Sequence, residues 1–222
     1  MEKFNAIKKS KMNVVKGGTS TTEYKRIFIY LFIGLQLFTS CKTNVNLENK
    51  TETKSIIQKK LAFELCMIYG SDQGVRDDKL KHKDIKIGAL FKNMDSVNFD
   101  KLILFVNKNG YPNKKLLGDF YLNECVSHTA GAVLLHNSHR LVNEKKYFNL
   151  FFNEVKKGNM KKEAFVLILD RYYWAKSHGK KVLYGSQFGK PCLENKIVTN
   201  RARKKIGLES LEDKDFKICS EK

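Results

Sequence analysis

Leu167 to Phe188 reads LILDRYYWAKSHGKKVLYGSQF. With Phe165 and Val166 just before it, the segment opens as an apolar run, which predicts a helix through the middle of a core. Without leaving the helical pattern it spends two positions on Asp170 and Arg171. Charged groups beside a core must be paired or reach water, because an unpaired buried charge costs several kcal/mol, roughly. The two sit about 100° apart around a helix. One can face a cleft while the other reaches a different partner. Gly179 ends the helix, and a strand-like piece from Val182 follows, closing on Tyr184-Gly185-Ser186-Gln187.

Working outward, the same helical period recurs. Ile56 to Tyr69 places Ile57, Leu61, Leu65 and Ile68 on one face. Asn98 to Lys108 turns Phe99, Leu102, Ile103 and Val106 inward, with Asn109-Gly110 as its stop and Pro112 preventing resumption. Leu122 to His136 is built around the small residues Ala130, Gly131 and Ala132. Asn143 to Lys157 carries six apolar or aromatic positions, with Asn143 as N-cap and Gly158 as stop. Glu163 to His178 holds the opening segment, and Asn200 caps a short helix over Arg201 to Ile206. Asp77 to Lys86 is a charged connection. Val182 to Phe188 and Ile197 to Thr199 are expected to pair as a hairpin around Gly189-Lys190-Pro191. With two prolines in the chain and no long strand run, the expected fold is mainly α: five to six helices and one small β-hairpin, in a single domain over residues 55–222.

Residues 1–40 have a different character. Residues 1–26 are polar and basic, and Ile27 to Phe38 is an apolar run of twelve. As a helix it would reach about 18 Å, short of a hydrocarbon core of about 30 Å. A basic segment, a short apolar segment and then small residues is the secretory signal pattern. Thr39-Ser40 directly before Cys41 resembles a bacterial lipobox, in which the cysteine is lipidated; Phe38 stands where the strict box has Leu. The relaxed form resembles lipoproteins of the Bacteroidetes type. This predicts a signal peptide over 1–40, lipidation at Cys41, a flexible tether over 41–54, and a cell-envelope protein anchored to a bacterial membrane, on the periplasmic side of the outer membrane. An N-terminal anchor or a core helix is the alternative reading of the apolar run.

The chain carries a formal charge of +19; taking away the seven basic and two acidic residues of 1–40 leaves +14. The lysines are scattered through every segment, which suits a solvated basic surface; the alternative is an anionic envelope component as partner. Nucleic acid is not expected: six of the 42 basic residues are Arg, the side chain that reads phosphate and base edges bidentately. Besides Cys41 there are Cys66, Cys125, Cys192 and Cys219, and none forms a C-x-x-C. Cys66 and Cys125 lie in apolar helical segments, where a free buried thiol is the default; Cys192 with Cys219 is the first pair to test as a disulfide.

Several short motifs occur in one order: Asp72-Gln73-x-x-Arg76, Gly110-Tyr111-Pro112, Leu134-Leu135-His136, Asp170-Arg171, Tyr184-Gly185-Ser186-Gln187, and Arg203 with Ile206-Gly207-Leu208. Together they resemble a bacterial family, domain-of-unknown-function family 6624, whose pattern runs DQ-x-x-R, G-W-P, Q-H-A-D, D-R, Q-x-Y-G-T-Q and R-x-x-x-G-L. The resemblance spans roughly residues 56–211. Leu135, Ser138 and Val182 depart from its Gln, Asp and Gln, while Tyr111 and Ser186 replace Trp and Thr. It implies no reaction.

The motifs supply the candidate site: Asp72, Gln73, Arg76, His136, Asp170, Arg171, Tyr184 and Gln187. One reading is a catalytic pocket, with Asp170 as general base, His136 as acid or orienter, and Arg76 or Arg171 binding an anion. The other is a structural network, with Asp170 paired to Arg76, Arg171 to Asp72, and Gln187 satisfying backbone groups. His128, His136 and His139 are spaced along one helical stretch, but no carboxylate or cysteine completes them at ligand spacing, so no metal is expected. Tyr172, Tyr173 and Trp174 suit either sugar stacking or the core. Nucleophile-elbow, P-loop, zincin and dinucleotide motifs are absent from the sequence, and no cofactor is expected. The favoured function is a binding or interaction module, with an envelope hydrolase using Asp170 and His136 as the alternative.

Overall fold

A computed structural model of the chain describes residues 41–76 and 87–219. The expected signal peptide and the connection over 77–86 lie outside the described residues. Among the described residues eight α-helices follow in order: α1 (Cys41–Gly74), α2 (Ile87–Asn109), α3 (Lys114–Leu117), α4 (Glu124–His136), α5 (Ser138–Asn143), α6 (Lys145–Lys156), α7 (Lys162–Lys176) and α8 (Lys196–Lys205). The described residues from Lys54 onward form one compact unit, divided from the residues before it at Thr53. The stretch expected as a tether is the first part of α1.

The mainly helical expectation holds, but the hairpin does not. No strand occurs among the described residues, only isolated bridges between Ser186 and Gly189 and between Cys192 and Lys217. Ile197 to Thr199 lies inside α8, where Ile197 and Val198 are exposed. The alternation read as a strand has no partner surface to pack on, and helical propensity decides. The helix expected over 143–157 is α6, but its N-cap is Glu144, in an extended conformation, because Asn143 ends the preceding α5.

Helix α7 is the hub. It packs on α4, α5 and α6, and Phe165, Val166, Ile168, Leu169 and Asp170 are all buried in it. Helix α1 contributes Ala62, Leu65, Ile68 and Asp72 to the buried face, spaced by three or four residues as a helix requires. Ile57, expected on that face, is exposed instead. Helix α2 adds Phe99, Leu102, Phe105 and Val106. Phe148, Phe152 and Phe165 cluster with ring centroids 5.3–6.1 Å apart, tying α6 to α7.

Two disulfides staple this core. Cys66–Cys125 joins α1 to the start of α4, and Cys192–Cys219 ties the segment before α8 to the C-terminal end. The second is the pair the sequence put first. The first corrects the reading of Cys66 and Cys125 as free thiols: their helices meet side by side, a contact that separate helical patterns cannot show. One turn along α4, the Thr129 hydroxyl donates to the Leu65 carbonyl 3.0 Å away, which holds the same two helices together.

Candidate functional site

The candidate residues fall into two hydrogen-bonded groups. The first gathers where α1, α2 and α4 meet. Asp72 is fully buried, and its two carboxylate oxygens are shared among neighbours. Oδ2 accepts from Gln73 Nε2 at 2.7 Å. Oδ1 lies 3.1 Å from His136 Nδ1 and 3.4 Å from an Arg76 guanidinium nitrogen. Arg76 also pairs with Asp95, so one guanidinium neutralises carboxylates from two helices. Asp95 was missed because the helix was expected to start at Asn98, whereas α2 begins at Ile87 and carries Asp95 within it. Oxygen and nitrogen donors of Asp72, Asp95 and His136 lie within 4.8 Å of one another. The carboxylates absent from the local histidine spacing therefore arrive from other helices. Arg76 already bridges them as an ion-pair network.

The second group surrounds Asp170, also fully buried. Its Oδ1 accepts the backbone N–H of Leu183 at 2.9 Å and of Tyr184 at 2.8 Å, so the carboxylate caps the turn that follows α7. Oδ2 has no partner of good hydrogen-bond geometry, although Ser186 and the Gly185 N–H lie close enough to favour the anion. Burial outweighs these contacts and raises the Asp170 carboxyl above the usual carboxylate range. Arg203 completes the corner by donating to the Tyr184 carbonyl at 2.5 Å and the Glu209 carbonyl at 2.7 Å. Burial lowers the Arg203 guanidinium, and the nearby charges of Asp170 and Asp215 oppose that shift. Gly185 has φ +79°, and a Cβ there would lie 3.2 Å from Pro191 Cδ and 3.3 Å from Leu211 Cδ1. Only glycine fits that turn without strain.

Neither expected pairing forms. Asp170 binds backbone amides where Arg76 was expected, and Asp72 holds Arg76 and His136 where Arg171 was expected. Arg171 lies over Trp174, 4.9 Å from the ring centroid, and near Phe188 at 5.9 Å. Tyr172, Tyr173 and Trp174 pack on protein partners: Tyr172 edge-on to Tyr173 at 5.2 Å, and Trp174 on Phe188 at 5.4 Å. Gln187 lines a depression beside Gly185, Ser186 and Arg203. Tyr184 is buried, and burial raises its phenol.

Three depressions adjoin on this surface. One of about 370 Å³ holds His136, His139, Arg171 and Lys176. One of about 710 Å³ is walled by Tyr69, Tyr111 and Tyr121 with Gln73, Glu124 and Lys161 among its polar groups. One of about 560 Å³ holds Ser186, Gln187, Arg203 and Glu163. Leu135 is common to the first two and Ala164 to the second and third. They form a run along α4 and α7. A third structural carboxylate, Glu154, borders none of them. It accepts from the Tyr111 N–H at 3.1 Å, Asn159 Nδ2 at 2.8 Å and Lys157 Nζ at 2.7 Å, which fixes the Gly110-Tyr111-Pro112 turn under the middle depression. Sequence reading overlooked it, although an acid among the aromatics of α6 was the available signal.

Comparison with known proteins gives no match: no family model, no curated protein and no solved structure is significantly similar to the chain.

Proposed function

We propose that this chain is a lipid-anchored cell-envelope protein whose helical domain is a binding module, taking its ligand in the run of depressions along α4 and α7. The observation that carries the binding reading is how the two would-be catalytic groups are used. Asp170 is fully buried on two backbone amides, and His136 is hydrogen-bonded to Asp72. A hydrolase needs an acid and a base that reach one reacting atom, so the envelope-hydrolase reading is the weaker one. The middle depression remains open beside them, with aromatic walls and polar groups suited to holding a ligand.

The envelope assignment rests on the basic–apolar–small pattern ending at Cys41, joined by the two disulfides, which persist in oxidising compartments. No helix among the described residues is long and apolar enough to cross a membrane, and on this reading the lipid on Cys41 is the anchor. Membership of the family of unknown function is part of the proposal. Its support is that the ordered motifs meet in space: the DQ-x-x-R segment with His136, and Asp170 with the Tyr184-Gly185 corner and Arg203.

Labelling with radioactive palmitate in a bacterial host tests the anchor. Wild type should take up label and Cys41→Ala should not. Label retained by Cys41→Ala, or missing from wild type, overturns the anchor.

A further inference from the structure

We infer that the middle depression is a saccharide site that prefers a sugar carrying a carboxylate; the inference rests on the binding-module reading and names its ligand class. Its lining joins two features that sugar recognition needs. Tyr69, Tyr111 and Tyr121 supply aromatic surface for the C–H face of a pyranose ring. Gln73, Asn113, Asn159, Ser127 and Glu124 add amide, hydroxyl and carboxylate groups; the amide nitrogens of Gln73, Asn113 and Asn159 and the Ser127 hydroxyl already donate within the protein, so these walls offer ring hydroxyls chiefly acceptor oxygens.

The aromatic groups are held in advance. The Tyr69 hydroxyl donates to Glu124 Oε1 at 3.3 Å. Tyr111 stands edge-on to Phe151 at 6.5 Å, and its N–H is fixed by Glu154. Burial raises the Tyr111 phenol, and the neighbouring Tyr121 adds to the shift. Gly131 and Ala132 line the α4 side with almost no side chain, which leaves room for a flat ring. Ordered walls reduce the entropy lost when a flexible saccharide docks.

Charge selects the acidic sugar. Among the described residues, Lys114 and Lys161, both exposed, line the groove against the one carboxylate of Glu124, which already accepts from Tyr69, and no arginine lines it. Two ammonium groups at the rim favour a carboxylate on the ligand, by an attraction that salt weakens.

The full chain in detergent micelles, titrated calorimetrically with tetragalacturonate, maltotetraose and poly-glutamate, tests this. Tetragalacturonate should bind with a Kd below about 1 mM and more tightly than maltotetraose. Tyr121→Ala should weaken both sugars about tenfold or more. The exposed pair Lys114→Gln with Lys161→Gln, which does not threaten the fold, should weaken tetragalacturonate alone and remove its salt dependence. Failure of either sugar to bind at about 10 mM overturns the inference, as does tetragalacturonate binding that the lysine pair leaves unchanged. Poly-glutamate binding through the same lysines without saccharide binding overturns the inference and leaves the binding module standing. Saccharide binding by a chain that palmitate does not label upholds the site and overturns the anchor.

Discussion

Asp170 is a fully buried carboxylate whose role is to cap a turn. A carboxylate from within α7 accepts two amide hydrogens that would otherwise be orphaned under the corner. Asp170→Ala leaves both unpaired, and thermal melting should show a loss of about 2–4 kcal/mol. Asp170→Asn keeps an acceptor oxygen and should lose far less. The pH profile separates charge from geometry. Because the folded-state pKa is raised above its ordinary value of 3.8, the folded protein holds this proton more tightly than the unfolded chain does. The contribution of Asp170 is therefore fully present below about pH 4 and declines as pH rises through the raised value. Asp170→Asn should remove that decline, and a melting profile as steep as wild type across this range would refute the assignment. The sequence singled out Asp170 correctly as a buried charge needing a partner. It did not disclose that the partner was main chain, because amide hydrogens leave no mark in side-chain pattern.

Elements meet here through carboxylates that reach across turns, and Glu154 is the example at this scale. Burial would raise its carboxyl, but Lys157, Asn159 and the Tyr111 amide together hold it below its ordinary value of 4.5. The sign is opposite to that of Asp170. Glu154 stabilises the protein above about pH 4.5, and that contribution is lost as pH falls through the lowered folded-state value. Glu154→Gln should cost about 1–2 kcal/mol at neutral pH and little in strong acid, as followed by melting temperature against pH. An equal loss at both extremes would mean that the salt link carries nothing. The helices themselves were largely legible: the 3.6-residue period located the apolar segments of α1, α2, α4, α6 and α7. What failed was the period-two reading of Val182 to Phe188 and Ile197 to Thr199. A short alternating segment becomes a strand only if another edge is there to pair with it. In this fold Leu193 and Lys217 bond across a single bridge, and α8 takes Ile197 to Thr199.

For the whole molecule, the disulfides should matter as much as any helix. Closing loops with sequence separations of 59 and 27 residues removes chain entropy worth about 4 kcal/mol each in the unfolded state. Cys66→Ser with Cys125→Ser should lower the melting temperature markedly, and a thiol reductant should do the same to wild type. A wild type indifferent to reductant would refute the staple. On its own, the sequence determined the mainly helical class, the basic excess and the residues that would need partners, and it put Cys192–Cys219 first among the possible disulfides. Those are properties of composition and local period, and the chain carries them before it folds. Tertiary structure alone decided that Asp72, Arg76, Asp95 and His136 form one network while Asp170 and Arg203 form another, that Cys66 meets Cys125, and that three tyrosines from separate elements wall one groove. Each of these brings together groups tens of residues apart, and distance in space between such groups is set by how helices pack, which no local pattern encodes.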